Sequence, residues 1–415
     1  MFELILRNAK LIDGRQVDIA IQQAAIMVVE ANIPAKGERE LDAEGHLTIP
    51  AFVNGQLHAC KSFWRRLLKT LPKEIQQLSP FEAAAHVKPL YTQENVYARV
   101  DETMRLAIQN GTCAIRLFAD VDELSGLTAL KAMLAIRETY SQWMHVQVVA
   151  FPQDGILTAS TPDLMRQALE LGADVVGGIP WIEPNLDAQR AHVDMCFDLA
   201  KAFRRPLHFV CDDAANPQLK TLEMIAKRTI ELHQQNVLLR VAATQCSALS
   251  FYDDRYAASV INLVKKADMI IFSNSHVSLI ATDFDETQHP WPRSVTRIRQ
   301  LLDAGVSVAC GQDDIDNWFY PFGRNDMLEV AQFMAHSGRF AWNGEVKKVL
   351  PMVTSTPAAQ FPNLQYGLQP GADANLVVLD ASDWHGAVQF QADKRFVILR
   401  GRLAAETVSK TTLTL

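Results

Sequence analysis

The stretch AFVNGQLHACK, residues 51–61, sets Gln56 and His58 two apart at the end of a short apolar run. Alternate residues of a strand share a face, so both side chains should enter one cavity. Two imidazoles at that spacing would make half of a metal site; here the first is a glutamine. Far downstream, GQDDIDNWFYPFG carries adjacent carboxylates, Asp313 and Asp314, followed by Trp318 and Phe319. A second acidic pair, Asp212 and Asp213, closes LHFVCDD, and GGIPWIEP offers Trp181 and Glu183. One imidazole with several carboxylates could hold a divalent ion, or could move protons as general acid and base without one. Without a cation, crowded carboxylates repel and at least one is driven toward its neutral form. Two amides, Gln153 in AFPQDGI and Gln245 in AATQCS, can donate and accept. Gln153 in particular suits the lactam edge of a heterocycle. Trp181, Trp318 and Phe319 could wall such a ring.

These residues share a position relative to the elements that must carry them. Eight short apolar runs stand at 51–58, 112–118, 145–151, 174–180, 206–212, 237–244, 269–274 and 306–311. Between most lies an amphipathic stretch such as ANPQLKTLEMIAKRTIELHQQ, with apolar residues at helical spacing. Strand alternating with helix predicts a parallel sheet, and eight units predict an α/β chain of the (β/α)8 TIM-barrel type over residues 51–364. No GxGxxG follows the first strand, which disfavours an open dinucleotide-binding sheet. The ends differ in texture: 1–50 and 365–415 carry β-branched runs broken by turns, too few on either side for a stable sheet. Together they predict one small composite β-sandwich. In a barrel, chemistry gathers at the C-terminal ends of the strands, where each candidate above falls.

Composition narrows the classes. A net charge of -7 over 415 residues argues against nucleic acid or an anionic membrane as partner. No apolar run has the length of a membrane span, and the N-terminus lacks the pattern of a secretory signal. Six cysteines without a CxxC pair read as reduced thiols, so the expected location is cytoplasmic. The basic connection KSFWRRLLKTLPKEIQQLSPFEAAAH suggests a lid, an oligomer contact or solvated surface, and Arg65 and Arg66 in it could attract an anion.

The ordered segments LDAEGHLTIPAFV, VVAFPQDGIL, GADVVGGIP, VTRIRQLLDAGVSVACGQDD and YPFG resemble the cytosine-deaminase-like members of the amidohydrolase superfamily over nearly the whole chain. The resemblance implies the same barrel and sandwich, and one divalent metal that makes hydroxide from water. It implies ligands from an HxH on strand one, a histidine on strand five and an aspartate after strand eight. It also implies a proton-shuttling glutamate after strand five and a histidine on strand six. Carried over, the HxH falls on Gln56 and His58, the strand-five histidine on Val210, the glutamate on Asp213 and the strand-six histidine on Gln245. The aspartate remains as Asp313, and the substrate-binding glutamine as Gln153.

His58 and Asp313 are then residual metal ligands, one short of the usual three. Gln56 could add a carbonyl oxygen and Cys60 a thiolate, whereas Cys211 and Cys246 should face away from the mouth. His208, one step deeper than Val210, reads as a packed structural histidine. The expected function is a pocket for a small cyclic amidine or lactam heterocycle, descended from a deaminase, without zinc-hydroxide chemistry. The expected cofactor is none, with one divalent metal (zinc, iron or manganese) as the alternative. Asp213 and Asp313 are the catalytic candidates; Gln153, Trp181, Gln245, Asp314, Trp318 and Phe319 are the substrate-binding ones. For the two aspartates the competing readings are a helix cap at Asp213 and bonds to strand-end amides at Asp313. Two alternatives stand beside this reading: an active hydrolase of C–N bonds using a rebuilt metal site or carboxylates alone, and a structural subunit of a homo-oligomer.

Overall fold

The computed structural model describes residues 1–280 and 294–414. Eight strands, Phe52–Leu57, Thr112–Asp120, His145–Phe151, Val175–Gly178, Leu207–Cys211, Val241–Gln245, Ile270–Phe272 and Ser307–Ala309, pair in sequence order. Every pairing is parallel. The first and last meet at the mouth: Leu57 bridges Asp313, the His58 N–H donates to the Asp313 carbonyl at 2.7 Å, and the Asp313 N–H donates to the Gln56 carbonyl at 3.0 Å. The seam that closes the barrel therefore brings Gln56, His58 and Asp313 together. It needs two glycines. A Cβ on Gly311 would stand 2.5 Å from the Gln56 carbonyl oxygen, and one on Gly55 would stand 2.0 Å from the Phe272 ring.

Parallel strands covered on both faces need apolar residues in continuous runs, and Thr112–Asp120 is buried along its whole length. The surrounding helices bury one stripe. In Thr221–Gln234 the buried positions are Thr221, Leu222, Ile225, Ala226, Thr229 and Leu232, at helical spacing. That helix begins six residues into the run seen in sequence. Asp212 fixes its start, accepting from the Thr221 and Leu222 amides at 2.9 and 3.0 Å and from the Thr221 hydroxyl at 2.6 Å. The sixth strand also begins later than the run at 237–244, since pairing with Leu207 starts at Val241 and Leu238 is 80% exposed.

The termini join as expected, in the form of one hydrogen-bonded mixed sheet of eight strands. Its centre is Leu47–Pro50, antiparallel to Leu376–Leu379, so the two ends of the chain interlock there. Period-two alternation divides the second strand. Leu376 and Val378 join the sheet's own apolar cluster with Leu4, Leu6 and Ile19, while Val377 and Leu379 pack into the barrel's core. No helix of the described residues is long and apolar enough to cross a membrane.

Gly55→Ala should lower stability by about 1–3 kcal/mol, the usual cost of overpacking a filled core. A urea denaturation midpoint equal to that of the parent protein would show that the seam has room the structure does not give it.

Candidate active site at the barrel mouth

A cavity of about 340 Å³ opens at the C-terminal strand ends. His58, Gln153, Trp181, Asp213, Gln245, Asp313, Asp314, Trp318 and Phe319 all border it, together with Lys61, Phe81, Phe151 and Val210. Where strands five, six and eight reach this mouth, Asp212, Gln245 and Asp313 adopt φ of +46°, +66° and +64°. Left-handed backbone at residues other than glycine is costly and tends to gather at functional sites.

The floor is a hydrogen-bond chain with a fixed sense. The Gly311 backbone N–H donates to Asn274 Oδ1 at 2.8 Å, so Asn274 turns its Nδ2 to Gln56 Oε1 at 2.7 Å. Gln56 Oε1 also accepts from the Thr244 hydroxyl. With its oxygen engaged, Gln56 donates through Nε2 to Asp313 Oδ1 at 2.8 Å. Gln245 Nε2 donates to the other oxygen, Asp313 Oδ2, at 2.5 Å, and its own Oε1 accepts from the Ser278 hydroxyl. Asp313 is thus held by two amides. The carbonyl oxygen that Gln56 might have offered a cation points elsewhere.

His58 packs between Phe118 and Phe151, with ring centroids 5.0 Å away, and its Nε2 lies 3.7 Å from Asp313 Oδ1. Burial, then the charge of Lys61, holds the imidazole well below its ordinary pKa, so it is neutral. Lys61 carries no role in the sequence reading. A short 3-10 turn, Ala59–Lys61, stacks it over His58, because residues three apart eclipse in that helix. Its ammonium is buried, 3.4 Å from His58 Nδ1 and 3.8 Å from Asp120 Oδ1, and donates to Gln153 Oε1. It also lies 5.1 Å from the centre of the Phe319 ring. Strand parity hid it; the HxxK spacing in HACK was the available signal.

Burial, then the neighbouring Asp314 and Asp213, pushes the Asp313 carboxyl well above its ordinary value. Burial pushes Asp314 up to about 6, and the Asn317 amide donates to it. Asp213 accepts from the Ser247 hydroxyl at 2.9 Å. Capping of the following helix falls to Asp212, which leaves Asp213 bordering the cavity.

Other candidates lie apart from the mouth. Glu183 turns back to accept from His192 Nδ1 at 2.7 Å and from the Ile156 amide at 3.0 Å. The Cys60 thiol points to the Phe118 carbonyl, Cys246 to the Thr244 carbonyl, and Cys211 lies 3.2 Å from the Thr221 hydroxyl. Arg66 is bidentate with Glu102 at 2.6 and 2.8 Å, and Arg65 lies 3.4 Å from Asp316. His208 is buried in the barrel between Phe118 and Phe272. The basic connection contributes Pro80 and Phe81 to the cavity, and Trp318 donates to its Leu78 carbonyl at 2.9 Å.

An ion needs lone pairs aimed at it, as imidazole, thiolate and carboxylate supply. Here Val210 has none, two glutamines aim N–H groups at Asp313, and Cys60 faces away. Among the described residues no group of three or more His, Cys, Asp or Glu could hold a metal ion. These residues do not fit the divalent ion that the resemblance implies.

The amidohydrolase family model matches residues 39–411. The chain belongs to the amidohydrolase family. This family member is 28% identical over 410 residues, 97% of both chains, to N-isopropylammelide isopropyl amidohydrolase of Pseudomonas sp. strain ADP. Its structure is similar to that of 5-methylcytosine deaminase from Klebsiella pneumoniae, with a TM-score of 0.88 and 28% identity over 99% of each chain. It is also similar to N-isopropylammelide isopropylaminohydrolase from Burkholderia multivorans, with a TM-score of 0.82 and 25% identity over 97% of this chain and 98% of that one. The barrel and the cytosine-deaminase-like family expected from sequence both hold.

Asn274→Ala in this amidohydrolase-family chain strands the Gly311 N–H and frees Gln56 to turn. A lost buried partner costs about 1–3 kcal/mol. The urea midpoint should fall accordingly; no change would show that the chain of donors is not fixed from Gly311.

Proposed function

We propose that this protein binds a small planar heterocycle bearing amidine and lactam groups, and that it does so without a metal-made hydroxide. The observation that carries the reading is the state of Asp313: both carboxylate oxygens accept from glutamine amides, in the space where a cation would need them. The rest of the cavity suits such a ring. Lys61 occupies Gln153 Oε1, so the Gln153 Nε2 hydrogens and the ammonium are the donors for a ring carbonyl. Asp213 and Asp314 are acceptors for amidine N–H groups, and Trp181, Trp318 and Phe319 are flat walls. The relatives' names, an ammelide hydrolase and a methylcytosine deaminase, speak for the same ligand class.

Thermal shift with cytosine, ammelide and pterin, in chelator, tests this reading. One of them should raise the melting temperature by mass action, and Gln153→Ala should abolish the shift. A shift unchanged in Gln153→Ala would place recognition elsewhere. Elemental analysis of protein purified without chelator should find no stoichiometric zinc, iron or manganese. A stoichiometric ion, with ammonia release that stops when it is stripped, would overturn the metal-free account.

A second reading is favoured by the buried, neutral-leaning Asp313 beside Asp213. In a C–N hydrolysis, Asp213 would take a proton from water as its oxygen bonds to the ring carbon, and Asp313 would hand one to the departing amine. If amine or ammonia release is measured, Asp213→Asn should lower the rate roughly 10²–10⁴-fold. Full rate in that variant would remove Asp213 from proton transfer.

A further inference from the structure

The opposite end of the barrel carries a second concave site. A groove of about 410 Å³ lies among the segments that enter strands three, five and six, bordered by Gln147, Arg204, Arg205, Arg240, Gln360 and Phe361. Beneath it stands Arg116, whose guanidinium is fully buried inside the barrel. Its acceptors are all neutral: Gln147 Oε1 at 2.7 and 3.0 Å, His208 Nδ1 at 3.0 Å and Gln360 Oε1 at 3.4 Å. A buried charge without a carboxylate partner is unusual. Burial brings this group down to about 9; the charge of Asp174 works against the change, and the weaker repulsion from Arg240 adds to it.

Among the described residues the groove supplies no free counter-charge. Asp174, its one carboxylate, is committed to Arg137 at 2.7 Å and to the Val148 amide at 2.9 Å. Arg204, Arg205 and Arg240 form no ion pair among the described residues, and Arg240 spends one donor on the Ala359 carbonyl. Three arginines border the concavity, over a fourth whose hydrogen-bond acceptors are all neutral, in a chain whose net charge is -7. Guanidinium forks match phosphate oxygens, and the Phe361, Pro362 and Leu239 side of the groove offers an apolar wall.

We propose that this groove binds a phosphate-bearing small molecule, with Arg205 and Arg240 gripping the phosphate and the Phe361 side covering its body. The proposal is independent of the mouth. Calorimetric titration of the full chain at low ionic strength with pyrophosphate and with phenyl phosphate tests it. Saturable binding that weakens roughly tenfold in Arg205→Gln and again in Arg240→Gln is the expected result. Tighter binding of phenyl phosphate identifies a phosphorylated organic ligand; tighter binding of pyrophosphate identifies a bare phosphate chain. Lys61→Met serves as the control for anion uptake at the mouth. Binding lost in Lys61→Met but kept in the arginine variants, or no saturable binding by either probe, would overturn the proposal.

Discussion

The backbone N–H of Gly311 can only donate, and the polarity of the candidate site follows from that. Asn274 must meet it with oxygen, must therefore give nitrogen to Gln56, and Gln56 must give nitrogen to Asp313. Side-chain amides can turn over; a peptide N–H cannot. Because Gly311 also lies against Gln56 at the seam, the residue that lets the barrel close there also decides which atoms face its mouth. Fold and site are not separable here.

Charge at the mouth is settled by the same economy of donors. Lys61 is the buried cation beside Asp313, Asp314 and Asp213, and it is shared with Gln153 and His58. Leaving a buried carboxylate ionised and unpaired would cost several kcal/mol, whereas each hydrogen bond to a charged group returns about 1.5–3 kcal/mol. The protein meets this with two amide donors on Asp313, one on Asp314, and displacement of both carboxyls toward the neutral form. His58, lying against two phenylalanines, stays uncharged. The mouth is held by directed hydrogen bonds around one buried ammonium, with Asp313 and Asp314 both displaced upward from their ordinary carboxyl values.

The barrel was legible in the sequence because parallel strands buried on both faces must be apolar without interruption, as Thr112–Asp120 is. The border of the cavity was legible because barrels place their functional side chains at strand ends, so Gln153, Gln245 and Asp313 could be named from position. What stayed hidden depends on backbone that leaves the strand rule. Lys61 reaches the cavity through a 3-10 turn, which stacks residues three apart. The helix cap that was one reading of Asp213 falls to Asp212, which sits at positive φ, where simple alternation ends. The sense of the Gln56 amide depends on Asn274, 218 residues away, and no local pattern carries it.

The same chain of donors explains why a metal centre is not one substitution away. A histidine at position 56 would remove the Nε2 donor from Asp313 Oδ1 and leave Asn274 Nδ2 without its acceptor, while Asn274 could not reverse against the Gly311 N–H. Gln245 would still hold Asp313 Oδ2, and Val210 would still present methyl groups to the cavity. A tetrahedral ion would also have to displace the Lys61 ammonium from beside His58, exchanging one buried positive charge for another at close range. Several side chains would therefore have to change together. The floor of this barrel is a continuous run of hydrogen bonds from Gly311 to Asp313, held in place by their direction.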